Sequence, residues 1–195
     1  MGSGGATPLK LVLAGAATSA ILSSLVTAVM IPRSNVMDQF RFWQVGSVGA
    51  GTWDSIKLFL PFLVVGLLIA IFTAPALNAL ALGDDVATGL GVRTGTIRMI
   101  ASLAGVLLCG VATALAGPIG FIGLLATHLI RLVIGPDVRY IIPMSALSGA
   151  IILSISDVLG RLIGSPGELE VGILTAFVGA PILILITMKA KMRAI

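Results

Sequence analysis

The chain has 195 residues, of which 57% are hydrophobic and only 10% are charged, and its formal net charge is +4. Soluble domains carry charge on about a quarter of their residues, so this composition excludes a water-soluble globular domain and indicates helices that face lipid. The basic residues stand at the ends of apolar segments and in loops, where they set membrane orientation. No nucleic-acid-binding module is present, and the single cysteine, Cys109, forms no internal disulfide. No cleavable signal peptide is predicted.

The apolar segments predict an all-α polytopic transmembrane helix bundle of about six membrane helices, with short cytoplasmic coupling helices in addition. The first span, residues 11–31, would rise about 31 Å, close to the hydrocarbon thickness of a bilayer. Two adjacent rows of small residues, which let another backbone approach closely, run along it: Ala16, Ala20, Ser24 and Ala28, beside Gly15, Ser19, Ser23 and Thr27. We therefore expect this helix to pack inside a bundle or to line a path.

The second span, residues 59–80, follows a polar interlude at 32–57 whose aromatic residues suit a membrane interface. Pro75 is expected to bend or end that helix, because proline lacks the amide hydrogen that the helix needs. In the polar stretch 83–98, residues 84–90 predict one short helix opened by acidic residues, as the helix dipole favours. Residues 97–116 form the third span.

Residues 117–139 hold an apolar core, 119–134, that is short for a membrane span and carries His128 and Arg131. The core is either a short crossing or a re-entrant loop. The spans that follow it are predicted at 140–159 and 171–188. If the C-terminal tail is cytoplasmic, a crossing places eight basic residues inside and four outside, a bias that favours the crossing and puts both termini in the cytoplasm. The inner set is Lys10, Arg93, Arg98, Arg131, Arg139, Lys189, Lys191 and Arg193, and the outer set is Arg33, Arg41, Lys57 and Arg161.

Motifs for chemistry are missing from the sequence. It has no phosphate-binding loop, no H-E-x-x-H, no cysteine and histidine cluster and no G-x-S-x-G, so no catalytic residue, cofactor site or metal site is predicted. His128 is expected to form a helix-to-helix hydrogen bond. Asp157 is expected to pair with Arg161 one turn later, and Arg131 to reach the headgroups.

Three stretches carry a resemblance to a known family: "LNALALGDDVATGLGV" at 77–92, "GPIGFIGLLATHLIRLVIGPDVR" at 117–139, and "PMSALSGAIILSISDVLGRLIGSPGELEVGILTAFVGAPILIL" at 143–185. From residue 9 to 186 the chain resembles the FecCD-type permease subunits of ABC importers for iron–siderophore complexes, haem and cobalamin. It departs from the common family pattern at Thr127, Val138 and Glu170, where proline, histidine and proline are usual. Family members are longer, and this chain corresponds to their C-terminal half, as a fragment, a truncated gene or a split permease would.

The resemblance implies a single transmembrane permease domain over 1–195, partial in extent, with a cytoplasmic coupling loop at 77–98. The residues implied to contact an ATP-binding ABC subunit are Leu82, Gly83, Asp84, Ala87, Leu90 and Gly91. The first helix would line the translocation path through Ser19, Ser23 and Thr27, and Arg161 would meet a substrate-binding protein. A second permease subunit, identical or different, would complete the path in the inner or plasma membrane of a bacterial or archaeal cell. The chain itself would need no cofactor and would hydrolyse no ATP.

Two alternatives remain at the level of the sequence. The chain is a truncated, non-transporting membrane remnant or an assembly subunit, or it is a self-contained secondary transporter. A secondary transporter would be expected to carry an acid or a base deep within a span, and mid-span acids are absent. No residue distinguishes a siderophore from haem or a corrinoid as the substrate.

Overall fold

The computed structural model describes residues 8–32, 40–41, 43–49, 51–164 and 169–192, and these contain helices and no strand. The helices are α1 (Pro8–Met30), α2 (Trp53–Ala81), α3 (Asp84–Gly89), α4 (Thr94–Ala116), α5 (Ile122–Ile134), α6 (Val138–Gly164) and α7 (Val171–Met192). Within this part of the chain, α1, α2, α4 and α6 are the four long enough and apolar enough to cross a membrane, while the apolar helical stretches in α5 and α7 are shorter. The predicted all-α fold is confirmed.

The chain divides into two compact units, residues 1–42 and 43–195. The first unit contains α1, whose hydroxyl groups bond within the helix: Thr18, Ser24 and Thr27 each donate to the carbonyl oxygen four residues earlier, at 2.8 to 2.9 Å. Such bonds satisfy hydroxyl groups that have no water partner in lipid. The polar side chains of α1 are therefore compatible with a membrane span.

The second unit is a bundle in which α2 packs against α4 and α6, α5 packs against α6 and α7, and α6 packs against α7. We call one end of this bundle the Gly46 end. There the Ser47 amide donates to the Ala116 carbonyl at 2.9 Å and the Gly172 amide donates to the Gly46 carbonyl at 3.2 Å, joining the start of α7 and the end of α4 to the loop before α2. The opposite end, where α2 stops and α6 starts, is the Asn78 end.

Segment 117–134 runs from one end of the bundle to the other. Ala116 is bonded at the Gly46 end, while Asp137, three residues after α5, is bonded to Asn78 at the opposite end. Helix α5 has 13 residues and so rises only about 20 Å. The stretch 117–121 covers the remaining distance, with its own turn bonds from the amides of Ile119 and Ile122 at 3.0 and 2.9 Å. Segment 117–134 thus runs along the length of the bundle, as a short crossing would, and does not return to the end where it begins.

The boundaries of α2 and α6 differ from the sequence prediction. Helix α2 begins at Trp53 rather than at 59, because the Thr52 side chain caps it by accepting the Ser55 amide at 3.3 Å. It also continues through Pro75 to Ala81, so Pro75 does not break the helix. Helix α6 runs past 159 to Gly164, since Gly160 and Gly164 leave room for the backbone of Leu169 against its last turn.

Gly172 provides a test of the Gly46 end. A Cβ atom at this position would overlap the carbonyl oxygen of Val45, so Gly172→Ala must displace the start of α7. We expect this substitution to lower the free energy of unfolding by about 1–3 kcal/mol, the usual cost of overpacking, measured as a lower Tm in detergent.

The matched variant is Gly105→Ala in α4, where an added Cβ meets no atom within 4 Å. It should leave the Tm unchanged or raise it, because alanine is favoured over glycine in a helix by up to about 1 kcal/mol. Equal stability of the two variants would show that the backbone approach at Gly172 does not hold the bundle.

Candidate functional site

A short rigid connection joins α2 to α4 at the Asn78 end, and it contains the residues expected to form a coupling loop. Gly83 and Gly91 bracket α3 with φ angles of +111° and +81°. These angles lie in the left-handed region, which glycine adopts without the steric cost other residues meet. The amide of Leu82 donates to Ala79 at 3.1 Å, and that of Val92 donates to Ala87 at 3.0 Å. Both turns are thus closed by main-chain bonds.

Helix α3 has one buried position and one exposed apolar edge. Ala87 is fully buried. Leu82 directly follows α2, Val86 lies within α3 and Leu90 directly follows α3, so the three recur every fourth residue along the segment. Leu82 and Leu90 are 68% and 65% exposed, and Val86 is 48% exposed. We call these three residues the apolar ridge. Exposed apolar surface bordered by charged residues, here Asp84 and Asp85, is typical of a protein interaction site.

Asp84 also connects α3 to α4 through an ion pair. Its carboxylate lies 2.7 Å from the Arg98 guanidinium, and both side chains are more than half exposed. Exposed pairs of this kind contribute at most about 1 kcal/mol to stability. Asp84 is therefore available to a partner at little cost to the fold.

Asn78, near the end of α2, makes a set of bonds that the sequence did not reveal. Its Oδ1 accepts the Val138 amide at 2.9 Å, and its Nδ2 donates to Asp137 Oδ1 at 2.5 Å. The same Asp137 oxygen accepts the Arg139 amide at 2.9 Å. Asp137 thereby caps α6, while Asn78 satisfies a further free amide at the start of that helix.

The pKa of the Asp137 carboxyl is lowered from its ordinary value. The Arg139 backbone amide is the largest cause and the Asn78 side chain is the next, because both donate to the ionised form. Asp137 is therefore a carboxylate at neutral pH. The order Gly-Pro-Asp before a helix signals the cap, but no sequence signal points to Asn78, which lies 59 residues away.

The other expected site residues occupy separate places. Ser19, Ser23 and Thr27 follow one another every fourth residue along α1, in the 1–42 unit. Arg161 lies at the Gly46 end, 51% exposed, with its Nε 3.0 Å from the Asp157 carboxylate, which confirms the predicted pair.

His128 does not make the expected contact. Its Nδ1 lies 3.1 Å from the carbonyl oxygen of Leu124, in the same helix, so the predicted helix-to-helix hydrogen bond is wrong. Side chains in a helix lean toward the preceding turn, which places the imidazole against that carbonyl. Among the residues that the structure describes, no three His, Cys, Asp or Glu side chains are grouped so as to hold a metal ion.

In the part of the chain that the structure describes, four helices are long enough and apolar enough to cross a membrane, and Leu82 and Leu90 are exposed at one end of the bundle. The model of the FecCD transport family matches residues 1–189, and this chain belongs to that family. It is accordingly a multi-pass protein of the cell membrane.

Individual relatives agree with this assignment. The chain is 41% identical over 148 residues to the ferric enterobactin permease FepD of Escherichia coli, covering 75% of this chain and 44% of FepD. It is 42% identical over 144 residues to the iron(3+)-hydroxamate permease FhuB of Bacillus subtilis, covering 74% and 37%. The chain thus spans less than half the length of these relatives.

A solved structure also resembles the fold. It is a metal-chelate type ABC transporter in an inward-facing conformation, with a TM-score of 0.83 and 28% identity, covering 94% of this chain and 60% of that one. The likeness extends over nearly the whole chain, including both units.

Proposed function

We propose that this chain is the C-terminal part of a permease subunit of an ABC importer for iron–siderophore, haem or cobalamin-type substrates. Membership of the FecCD family carries the proposal. The relatives named for enterobactin, citrate and hydroxamate transport, at 40–42% identity, favour an iron chelate within this class. ATP hydrolysis belongs to a separate subunit, in keeping with a chain that has no phosphate-binding loop.

In this proposal, segment 82–91 docks on the ATP-binding subunit. The apolar ridge supplies area that loses water on docking, and Asp84 supplies a charge at its border. Both turns of the segment are closed by hydrogen bonds, which suits a part that must move as a rigid body. Gly83 and Gly91 adopt the left-handed backbone conformation that its two turns need, and the buried Ala87 packs it against the bundle.

Helix α1 is assigned the translocation path, with Ser19, Ser23 and Thr27 facing it. Small hydroxyl residues let two helices approach closely and still offer polar groups to a passing substrate. A second permease subunit, the same chain or a different one, would supply the opposite wall. Closure of two ATP-binding subunits would then switch the path between outward and inward openings.

Arg161 is assigned to the docking of a substrate-binding protein. It is half exposed at the Gly46 end, opposite segment 82–91, and Asp157 holds its side chain in one orientation. An importer needs its ATP-binding and substrate-delivering partners on opposite faces of the membrane. The placement of these two groups of residues supports that arrangement.

The ATPase interface is tested by the variant Leu82→Asp/Leu90→Asp. Both side chains are largely exposed, so the folded chain should tolerate the change, while two buried unpaired charges would abolish docking. We expect co-purification with an ATP-binding subunit from the same transport system to fall at least about tenfold, since burying one unpaired charge costs several kcal/mol.

Val48→Asp is the matched variant, because Val48 is an exposed apolar residue at the Gly46 end, 41% exposed. It should co-purify as the unmodified chain does. If the unmodified chain captures no ATP-binding subunit in detergent or in nanodiscs, the transporter assignment fails and the remnant or assembly-subunit alternative replaces it.

The docking role of Arg161 is tested by Arg161→Gln. Removing a cation that pairs with an acidic partner should weaken capture of the substrate-binding protein by about tenfold, in line with measured interfacial charge pairs. Lys57→Gln removes a second exposed cation at the same end of the bundle and should change the affinity little. The affinity for the substrate-binding protein is measured by surface-immobilised binding assays. If the two variants lose affinity equally, Arg161 contributes only through net charge.

A further inference from the structure

We infer that Asn78 is a positioning residue that clamps the end of α2 to the start of α6, so that segment 82–91 and the turn between α5 and α6 move together. The clamp is the set of three hydrogen bonds that link Asn78, Asp137, Val138 and Arg139. The inference rests on the proposed function for the source of the motion, which is the ATP-binding subunit.

Segment 82–91 is joined to Asn78 without a flexible residue between them. The amides of Leu82 and Gly83 donate to the carbonyls of Ala79 and Leu80, each at 3.1 Å, so the last turn of α2 continues into the segment. Within the segment, the amide of Ala87 donates to Gly83 at 3.0 Å. A displacement of the apolar ridge is therefore carried back to the last turn of α2, where Asn78 lies.

From Asn78 the connection passes to α6. Its amide group both accepts from the Val138 backbone and donates to Asp137, so it holds the cap residue and the first residue of the helix at once. Asp137 is anionic, and hydrogen bonds to ionised groups are the stronger kind. Asp137 is also the acceptor for the amides of Tyr140 and Ile141 through its carbonyl oxygen, at 3.2 and 3.0 Å. The first turn of α6 is thus organised around one residue that Asn78 grips.

The contact to α4 is different in kind. There the link from segment 82–91 is the Asp84–Arg98 pair, with both side chains more than half exposed. Exposed ion pairs are screened by water and salt. The partly buried clamp at Asn78 is therefore the firmer of these two side-chain links to the bundle.

Hydrogen–deuterium exchange of the whole chain in nanodiscs tests the clamp directly. Asn78→Ala removes all bonds from Asn78 and should quicken exchange of the amides of 138–141 by about fivefold, because a lost hydrogen bond of about 1 kcal/mol changes the local opening equilibrium by that factor. Asp137→Asn is the conservative variant, since its Oδ1 can still accept from Asn78 and from the Arg139 amide. It should quicken exchange at 138–141 less than Asn78→Ala does, because the bonds remain but their acceptor is no longer charged.

Asp84→Asn supplies a second comparison, because it weakens the pair with Arg98 and should leave exchange at 138–141 unchanged. The inference is overturned if Asn78→Ala leaves 138–141 protected. It is also overturned if exchange rises equally in every helix, since Asn78 would then be a residue of general stability only.

Transmission is tested in the complex with the ATP-binding subunit, trapped with ATP and vanadate. Trapping should alter exchange in both 82–91 and 138–141 of the unmodified chain, and only in 82–91 of Asn78→Ala. A response at 138–141 that persists in Asn78→Ala contradicts the inference. If the unmodified chain binds no ATP-binding subunit, the proposed function fails, while the exchange measured on the chain alone still decides whether the clamp exists.

Discussion

The constraint on which this structure depends is that a chain in lipid must satisfy its own backbone polar groups. Helices do so along their length, but every turn between them exposes free amides and carbonyls. At the Gly46 end, main-chain groups form hydrogen bonds with each other. The Ser47 amide donates to the Ala116 carbonyl, and the Gly172 amide donates to the Gly46 carbonyl. Small residues are needed there because the backbones approach so closely that a side chain would intrude.

At the Asn78 end the solution uses side chains. Asn78 and Asp137 satisfy amides at the start of α6, and α3 closes its own turns between two glycines. These local bonds satisfy backbone polar groups without using the side chains of the apolar ridge, which remain exposed. The same end thus combines a firm attachment to the bundle with an uncovered apolar surface, the pair of properties that a connection between a membrane domain and a moving partner requires.

The short crossing at 117–134 follows from the same constraint. Helix α5 alone, at about 20 Å, is shorter than the hydrocarbon layer of about 30 Å. The non-helical stretch before it is tolerated because the amides of Ile119 and Ile122 bond within tight turns, and the preceding Ala116 carbonyl accepts the Ser47 amide from the loop before α2. A non-helical segment at membrane depth is expected only where protein surrounds it. Gly117 is buried and helix α5 packs against α6 and α7, whereas Pro118, Gly120 and Phe121 are exposed within this chain.

The sequence predicted those features that depend on local or average properties. Apolar length predicted the helices, and the acidic opening of 84–90 predicted α3. It missed features set by contacts between distant residues. The partner of Asp137 lies 59 residues away, and the orientation of His128 depends on its rotamer. The early start of α2 was present in the sequence as Thr52 followed by Asp54, a capping signal that the aromatic content of the loop obscured.

The structure locates the site residues that were named from family resemblance, but it does not bring all of them together in one site. Leu82, Gly83, Asp84, Ala87, Leu90 and Gly91 form one segment, as the quoted motif implied. Arg161 lies at the other end of the bundle, and the α1 hydroxyls belong to the separate 1–42 unit. Spacing along one helix is readable from sequence, whereas the place of a residue in a completed transport path depends on partner subunits.

We propose that segment 82–91 faces the cytoplasm while the loop before α2 faces the opposite side. Single cysteines at Thr88→Cys and Val48→Cys, in a Cys109→Ser background, test it most directly with a membrane-impermeant maleimide on intact cells stripped of any outer membrane. We expect Val48→Cys to be labelled at once and Thr88→Cys to be labelled only after permeabilisation. Labelling of both from the same side, or in the reverse order, would contradict it.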